Sequence, residues 1–369
     1  GLPYGQKGFT LLEKLPRHLS LVSVLNSNDY QTSFFYGQAR WFHQKSRFFD
    51  YNDIDLIFDN SRYSQKYSKI IVGDDNFFWG YNDKDMFNQS FEVIDTLVRS
   101  RRLDIFFTGT SHSPFMIDDE EYYSSKLKSV IPEGREDFFV SYSKYWKSVL
   151  FVDDALKDFF DKYRSLKEYE NTIFIITGDH PMTEIQVSNS LKRYHVPLII
   201  FSDKLHKYKT FNNVVSHLDI YGTLISFLKD YLEVLPTVST SLGDNLIPGD
   251  NPCPKRIAFM NDNREIIDYY SDGYFLSDDV LYKVDSDFAI KRIRNKSQKS
   301  SLRHELNTFK TVNLYTCLND KIISNDRYLK ELNRLNLYSY ESSDTITIDS
   351  EYYSLTKRDI IIPDAELRF

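Results

Sequence analysis

Apolar positions along this chain form short continuous runs that alternate with segments of helical periodicity. The continuous runs, rich in β-branched and aromatic residues, predict strands, and they lie at 30–37, 103–110, 173–176 and 195–201. Apolar residues spaced three and four apart predict amphipathic helices, which cover 19–28, 90–100, 137–162 and 212–232. Residues 38–90 follow neither pattern and are predicted to be irregular. The alternation favours an α/β fold with a mainly parallel central sheet and helices on both faces.

The pattern changes after a stretch rich in Pro, Gly and Asn at 243–254. Short apolar runs follow, separated by Asn-Asp, Ser-Asp-Gly and Asp-Asp turns, and this predicts antiparallel hairpins. Residues 290–369 are charged and polar, and we expect them to pack on the sheet edge. We therefore divide the chain into a first domain over 1–245 and a smaller C-terminal antiparallel β/helical extension over 246–369.

Composition narrows the classes of function. A net charge of −7 gives no electrostatic support for a nucleic-acid partner, and none is expected. Two cysteines, Cys253 and Cys317, exclude a disulfide framework but allow one bridge, so the redox compartment stays open. No apolar run reaches the roughly 18 residues that a membrane span needs.

The segment TIFIITGDH, residues 172–180, contains the most informative candidate functional residues of the chain. Its apolar run reads as a strand buried on both faces, and it ends beside Asp179 and His180. Open α/β sheets bind their ligands beyond the carboxyl ends of strands, and adjacent oxygen and nitrogen ligands suit Zn²⁺ or Mn²⁺. The alternative is that Asp179 caps a helix and His180 is simply polar.

Five stretches in order resemble the catalytic domain of lipoteichoic acid synthase-type phosphoglycerol transferases, within the sulfatase and alkaline-phosphatase-like superfamily. They are GLPYGQKGF, the block from LVSVLNSN to DIDLIFD, GTSHSPF, IITGDH, and HVPLIIF with SHLDIYGTL. The resemblance covers roughly residues 1–245. It implies an alkaline-phosphatase-like fold and a metal-assisted phospho-enzyme mechanism.

The resemblance also implies roles for particular residues. Asp179 and His180 become ligands of a divalent metal ion, Mn²⁺ or Zn²⁺, with Mg²⁺ or Ca²⁺ as alternatives. His112 and Lys45 become substrate-binding residues, although Lys45 replaces an arginine and loses its planar fork. His195 becomes a third substrate-binding residue.

Simpler interpretations of these residues stay open. His112 could stabilise the Ser-Pro turn beside it, Lys45 could be a solvated lysine, and His195 could be a core histidine with its hydrogen bonds made within the protein. His43 stands where the family has tryptophan, which puts head-group contacts there in doubt. His217 lies within a predicted helix and is interpreted as structural.

Cys253 begins Cys-Pro-Lys-Arg, in which Pro and Arg are each misplaced by one position relative to the sulfatase signature. It also lies far downstream of the position of that nucleophile. We therefore reject it as a catalytic cysteine.

No catalytic nucleophile is expected within the chain. By the resemblance, the nucleophile (Thr in the transferases) and a further acidic metal ligand on the first core strand precede Gly1. The first domain is thus expected to lack its N-terminal strand and nucleophile, to hold metal weakly and to be inactive as a fragment. The full-length protein is expected in the cell membrane, anchored by N-terminal helices, with its catalytic domain periplasmic or extracellular.

The expected function is transfer of a phosphoglycerol- or phosphoethanolamine-type head group from a phospholipid. One alternative is hydrolysis of a sulfate or phosphate ester. The other is a non-catalytic relative that binds an anionic glycan or lipid, in which the Tyr- and Phe-rich region 38–90 would stack on sugars.

Overall fold

The computed structural model describes residues 8–74, 76–97, 101–211, 214–246, 255–261 and 263–337, with three further short strands between 347 and 363. Its α-helices are α1 Leu21–Asn26, α2 Lys45–Tyr51, α3 Asp83–Ile94, α4 Glu120–Val130, α5 Glu136–Ser141, α6 Ser143–Tyr163, α7 Asp219–Leu228, α8 Lys296–Leu318 and α9 Asn325–Arg334. Its strands are β1 Gln31–Tyr36, β2 Leu56–Phe58, β3 Ile70–Val72, β4 Phe77–Gly80, β5 Arg102–Phe107, β6 Phe174–Thr177, β7 Leu198–Phe201, β8 Arg256–Met260, β9 Ile266–Ser271, β10 Tyr274–Ser277, β11 Val280–Val284, β12 Ile290–Arg292, β13 Thr347–Ile348, β14 Tyr352–Ser354 and β15 Ile362–Pro363.

The first domain is built on a parallel sheet with the strand order β2-β1-β5. Side chains on the two faces of β5 enter different clusters, since successive residues of a strand point to opposite faces. Leu103 and Ile105 pack with Val22 of α1, whereas Phe106 packs with Phe159 of α6. The sheet is therefore covered by helices on both faces, as the sequence predicted.

The strand that ends before Asp179 differs from its prediction. β6 pairs with β7 in antiparallel register, Phe174 opposite Phe201, because no α-helix in 178–197 provides the crossover that parallel pairing needs. The prediction of burial on both faces is wrong, since only Phe174 of β6 is buried. The reason is that β6 borders a large cavity, described below.

The C-terminal sheet is antiparallel, in the order β12-β11-β10-β9-β8, as predicted. Leu302 and Leu306 of α8 pack on Tyr269 and Leu276, so this helix covers a face of the C-terminal sheet. The expectation that residues 290–369 pack on a sheet edge is therefore wrong for α8. Helix α9 returns to the first domain, where its apolar side chains contact Leu19 and the α1 region.

Several predicted boundaries also change. Residues 38–90 contain α2, three short strands and most of α3, so the prediction of irregular structure is wrong there. Helix α3 begins at Asp83, where the Asn82 side chain accepts the Asp85 N–H at 2.8 Å. The helix predicted over 137–162 is divided between α5 and α6. Within the described residues, none of the helices combines the length and apolarity needed to cross a bilayer.

Candidate functional site

A cavity of about 1820 Å³ separates β5 from β6. Its walls include the whole of both strands, together with apolar side chains of α6 and α7. Among the described residues, the backbone of β5 pairs only with that of β1, and the backbone of β6 only with that of β7. Each strand therefore presents an unpaired edge to the cavity, and apolar side chains surround the space between those edges.

Contacts at both ends of the cavity show that β5 and β6 run in the same direction. At the amino ends, Arg102 of β5 donates to the Tyr163 hydroxyl at 3.2 Å, and Tyr163 also interacts with Thr172, just before β6. Beyond the carboxyl ends, the rings of His112 and His180 lie 6.2 Å apart, centroid to centroid. The loops that follow the two strands thus meet at one mouth of the cavity.

Asp179 and His180 project into this mouth, with more than half of each side chain exposed. His180 Nδ1 lies 2.8 Å from the Pro181 carbonyl oxygen, which can only accept, so Nδ1 carries the proton of the neutral ring. His180 Nε2 then offers its lone pair at 3.6 Å from Asp179 Oδ2, too long for a hydrogen bond. A carbonyl that fixes the far nitrogen is typical of metal-ligating histidines.

The donor set suits a divalent cation but is incomplete. Asp179 Oδ2 and His180 Nε2 supply one oxygen and one nitrogen ligand, whereas zinc sites use three or more protein ligands. The described part of the chain holds no cluster of three or more His, Cys, Asp or Glu side chains arranged for a metal. These two residues could therefore supply only part of a metal site.

His112 lies on the loop after β5, which a buried carboxylate holds in place. Asp83, at the start of α3, accepts the Gly109 N–H at 2.7 Å and the Thr110 N–H at 3.2 Å. Burial raises the pKa of Asp83 to about 6, against the opposing effect of these hydrogen bonds. His112 Nδ1 lies 3.0 Å from the Ser113 carbonyl oxygen, which leaves Nε2 directed away from its own loop.

Lys45 supplies a cation to the same mouth. Its Nζ lies 4.9 Å from the ring centroids of Tyr36 and Phe42 and 5.0 Å from that of Phe107. Burial among these rings lowers the pKa of Lys45 to about 8, and the Asp179 carboxylate acts in the opposite direction. Lys45 is therefore charged at neutral pH, in an apolar setting near the predicted ligand pair.

Two other side chains at the mouth were missed from the sequence. Trp79 of β4 stacks on His112 at 6.0 Å, and it falls in the region predicted to be irregular. Arg264, from the turn between β8 and β9, donates to His43 Nδ1 at 2.7 Å. Both residues line the cavity with His112 and Lys45. The only signal in the sequence was the Tyr- and Phe-rich composition of 38–90, which indicated that this region could supply aromatic side chains to the site.

Two other histidines considered from the sequence, His195 and His217, occupy different positions. His195 is exposed and packs on Phe288, with centroids 4.4 Å apart, and it is absent from the lining of this cavity. Its substrate role stays a prediction. His217 precedes α7 and donates from Nε2 to the Gly178 carbonyl at 2.8 Å, so it supports the turn that carries Asp179. Cys253 falls outside the described residues.

Comparison with known proteins agrees with this architecture. The Sulfatase family model matches residues 3–231. Lipoteichoic acid synthase 1 from Bacillus subtilis (strain 168) is 25% identical over 181 residues, covering 49% of this chain and 26% of that protein. Lipoteichoic acid synthase 2 of the same strain is 24% identical over 238 residues, covering 58% and 33%. The chain thus spans about a quarter to a third of the length of these curated relatives.

Solved structures show the same fold. A protein of the alkaline phosphatase superfamily from Vibrio parahaemolyticus aligns with a TM-score of 0.61 at 19% identity, over 88% of this chain and 74% of that one. The lipoteichoic acid synthase LtaP from Listeria monocytogenes aligns with a TM-score of 0.59 at 15% identity, over 85% and 76%. The predicted alkaline-phosphatase-like fold is confirmed. Because the family model covers more than half of its residues, this chain belongs to the sulfatase family.

Proposed function

We propose that this chain is the catalytic part of a membrane-anchored, extracytoplasmic phosphotransferase. It would move a phosphoglycerol- or phosphoethanolamine-type head group from a phospholipid to an acceptor. The observation that carries this proposal is the convergence of Lys45, His112 and the Asp179–His180 pair at one mouth of one cavity. These side chains follow different strands, and together they offer a cation, an imidazole and two metal ligands.

Each side chain has a chemical task in this proposal. Asp179 and His180 would hold a divalent cation, which when bound neutralises charge on phosphate oxygens and lowers the pKa of a nearby hydroxyl. Lys45 would bind a non-bridging phosphate oxygen, since its half-buried ammonium attracts an anion more strongly than an exposed one. His112, with Nδ1 directed at Ser113, would present Nε2 to the phosphate.

The nucleophile would come from a segment that precedes Gly1 in the full-length protein. The cavity supports this idea, because β5 and β6 offer it two unpaired edges that run in the same direction. A strand inserted parallel to both would end at the mouth, between His112 and Asp179. It would carry a further acidic ligand, and the residues after it would bring the nucleophilic hydroxyl to the site.

The reaction then balances in two steps. The hydroxyl oxygen bonds to phosphorus while the bond from phosphorus to the diacylglycerol oxygen breaks, and the hydroxyl proton passes to the departing oxygen. An acceptor hydroxyl then attacks phosphorus, breaks the bond to the enzyme and returns a proton to its oxygen. Water in place of the acceptor would make the protein a hydrolase.

The test uses the full-length protein in proteoliposomes containing phosphatidylglycerol, with release of diacylglycerol as the readout. We expect Mn²⁺-dependent release that His180→Ala reduces by at least about a hundredfold, since removal of a metal ligand costs more than removal of its supporting group. His304→Ala, on an exposed part of α8, is the matched control and should retain activity.

Other results would select other functions. Cleavage of an aryl sulfate without diacylglycerol release would favour the sulfate ester hydrolase. Head-group binding with neither reaction, unchanged by His180→Ala, would favour the non-catalytic glycan or lipid binder, for which Trp79 stacked on His112 offers an aromatic platform.

A further inference from the structure

Asp179 and His180 lie in the turn at residues 178–180, which we term the ligand turn. This turn begins the long loop 178–197, which joins the antiparallel strands β6 and β7. Both side chains are more than half exposed, so packing around them does little to fix their direction. The position of these two side chains therefore depends on the contacts that hold the backbone of the ligand turn.

A first link to the ligand turn starts at Lys255, immediately before β8 of the C-terminal sheet. Lys255 Nζ donates to Asp219 Oδ1 at 2.7 Å, and the Asp219 side chain is only 4% exposed. Asp219 Oδ2 accepts the Ser216 N–H at 2.9 Å, which fixes the chain on both sides of His217. His217 in turn donates from Nε2 to the Gly178 carbonyl at 2.8 Å. The ion pair made by the C-terminal segment thus reaches the backbone of the ligand turn through one histidine.

A second link starts at Asp268 of β9, whose side chain is fully buried. The Arg193 guanidinium and the Tyr194 hydroxyl both donate to Asp268 Oδ2 at 2.8 Å. Two residues further along the loop, Val196 packs against the ligand turn, since a Cβ added to Gly178 would lie 3.3 Å from Val196 Cγ1. A carboxylate of the C-terminal sheet therefore holds the far end of the loop, and that end contacts the ligand turn directly.

Apolar contacts place the same part of the loop against the C-terminal sheet. The Leu191 side chain is buried in one cluster with Phe275 of β10. The Tyr194 ring stacks on that of Phe259, with centroids 4.4 Å apart. Asp268 therefore accepts both of its hydrogen bonds in a setting with little water, where charge-assisted hydrogen bonds are strong.

We propose that Lys255 and Asp268 are positioning residues, through which the C-terminal sheet holds Asp179 and His180 in the geometry that binds a divalent cation. The inference rests on the proposed function, since it takes these two residues as the metal ligands. Both links end at Gly178, and they reach it from different elements, so each restrains the ligand turn independently of the other. The C-terminal sheet would thus be part of the metal site, although the two proposed ligands lie in the first domain.

Hydrogen exchange of the metal-free chain tests the positioning itself. The variants are Asp268→Asn and Lys255→Met, and the matched controls are Asp272→Asn and Lys291→Met, at exposed positions of the same sheet. We expect exchange at 174–180 to become about fivefold faster in both variants, as loss of a charge-assisted hydrogen bond predicts, and to stay unchanged in the controls. Exchange in β1 is the internal reference and should not change in any of these proteins.

Mn²⁺ affinity, measured by calorimetric titration of the folded variants, gives a readout that a purely structural role would leave unchanged. Direct partners of metal ligands typically contribute about 10–100-fold to affinity, and these residues act through others, so we expect binding about threefold weaker in Asp268→Asn and Lys255→Met. Lys255→Arg keeps the ion pair and should match the unmodified chain. If Asp268→Asn does not fold, Tyr194→Phe takes its place, since it removes one donor to the same carboxylate.

The outcomes separate this inference from the proposed function. Unchanged exchange at 174–180 in the folded variants would overturn the inference, and so would equal acceleration in β1, which would mean a general loss of stability. Faster exchange at 174–180 with Mn²⁺ affinity equal to that of the unmodified chain would overturn it as well. Faster exchange there, with no Mn²⁺ binding even by the unmodified chain, would support the two links and contradict the proposed metal site.

Discussion

Replacement of Asp83 by Asn should change how the stability of the protein depends on pH. The Asp83 side chain is 1% exposed, yet it carries the hydrogen bonds that hold the loop of His112. Burial raises its pKa from 3.8 to about 6. Because the folded protein holds this proton more tightly than the unfolded chain, the contribution of Asp83 to stability is complete below pH 4. It is lost as the pH rises towards 6.

The size of the effect follows from that pKa difference. A rise from 3.8 to about 6 corresponds to about 3 kcal/mol of unfolding free energy. Asp83 is the first residue of α3, and the helix dipole favours its charged form by up to about 1 kcal/mol. We therefore expect a net effect of about 2–3 kcal/mol.

Urea denaturation of both proteins between pH 3.5 and 8 measures this difference. The unfolding free energy of Asp83→Asn minus that of the unmodified protein should rise by about 2–3 kcal/mol between pH 4 and 7. Asp95→Asn, at the exposed end of the same helix, is the control and should show a much smaller change. A difference that falls with rising pH would refute the reasoning, since it would mean that the Gly109 and Thr110 hydrogen bonds outweigh burial.

Three further predictions concern the site and the core. Glycerol phosphate binding should weaken above pH 8 as Lys45 loses its proton, whereas the Lys45→Arg variant should bind equally well on both sides of pH 8. The same loss of affinity above pH 8 in both proteins would contradict the role of Lys45 as the phosphate-binding cation. Residues 1–369 should bind Mn²⁺ weakly, and His180→Ala should reduce that affinity at least about tenfold in a calorimetric titration; equal binding in both would exclude His180 as a ligand. Phe275→Ala, at a position 0% exposed in the C-terminal sheet, should cost about 3–5 kcal/mol of unfolding free energy in urea denaturation; a loss below about 1 kcal/mol would contradict its place in the core.

Local patterns in the sequence were sufficient to predict the long helices and strands, but they did not reveal the short ones. β1 and β5 have six residues each, and the apolar and aromatic residues at their carboxyl ends identified both strands directly. β2 and β3 have three residues each, too few to show a period, so 38–90 looked irregular. The polar first turn of α3 hid its start at Asp83, although Asn82 offered a recognisable cap. The antiparallel pairing of β6 with β7 depends on tertiary edges that local patterns do not contain.

The residues of the site divide in the same way, into those that local motifs predicted and those that they did not. Asp179, His180 and His112 lie in short motifs that mark the ends of strands, and the structure brings these motifs together. Arg264 contacts His43 across 221 positions of sequence, from a hairpin turn with no motif of its own. Lys45 was named from the resemblance, but only its position among three aromatic rings explains the lowered pKa. Residues that distant turns contribute to the site can be identified only when the fold is known.

The geometry of the site depends on the distance between its two halves, His112 and the Asp179–His180 pair. His112 follows β5 and His180 follows β6, and within the described residues these strands share no backbone hydrogen bond. Side chains link them at both ends, through Arg102 and Tyr163 at one and the two histidine rings at the other. A strand bonded to both edges would fix that distance far more firmly than these contacts, because ladder hydrogen bonds set strand spacing along its whole length. If a segment fills the space between these edges, as proposed, it would also set the distance between the His112 imidazole and the Asp179–His180 pair, and we therefore expect it to carry the nucleophile to the same place.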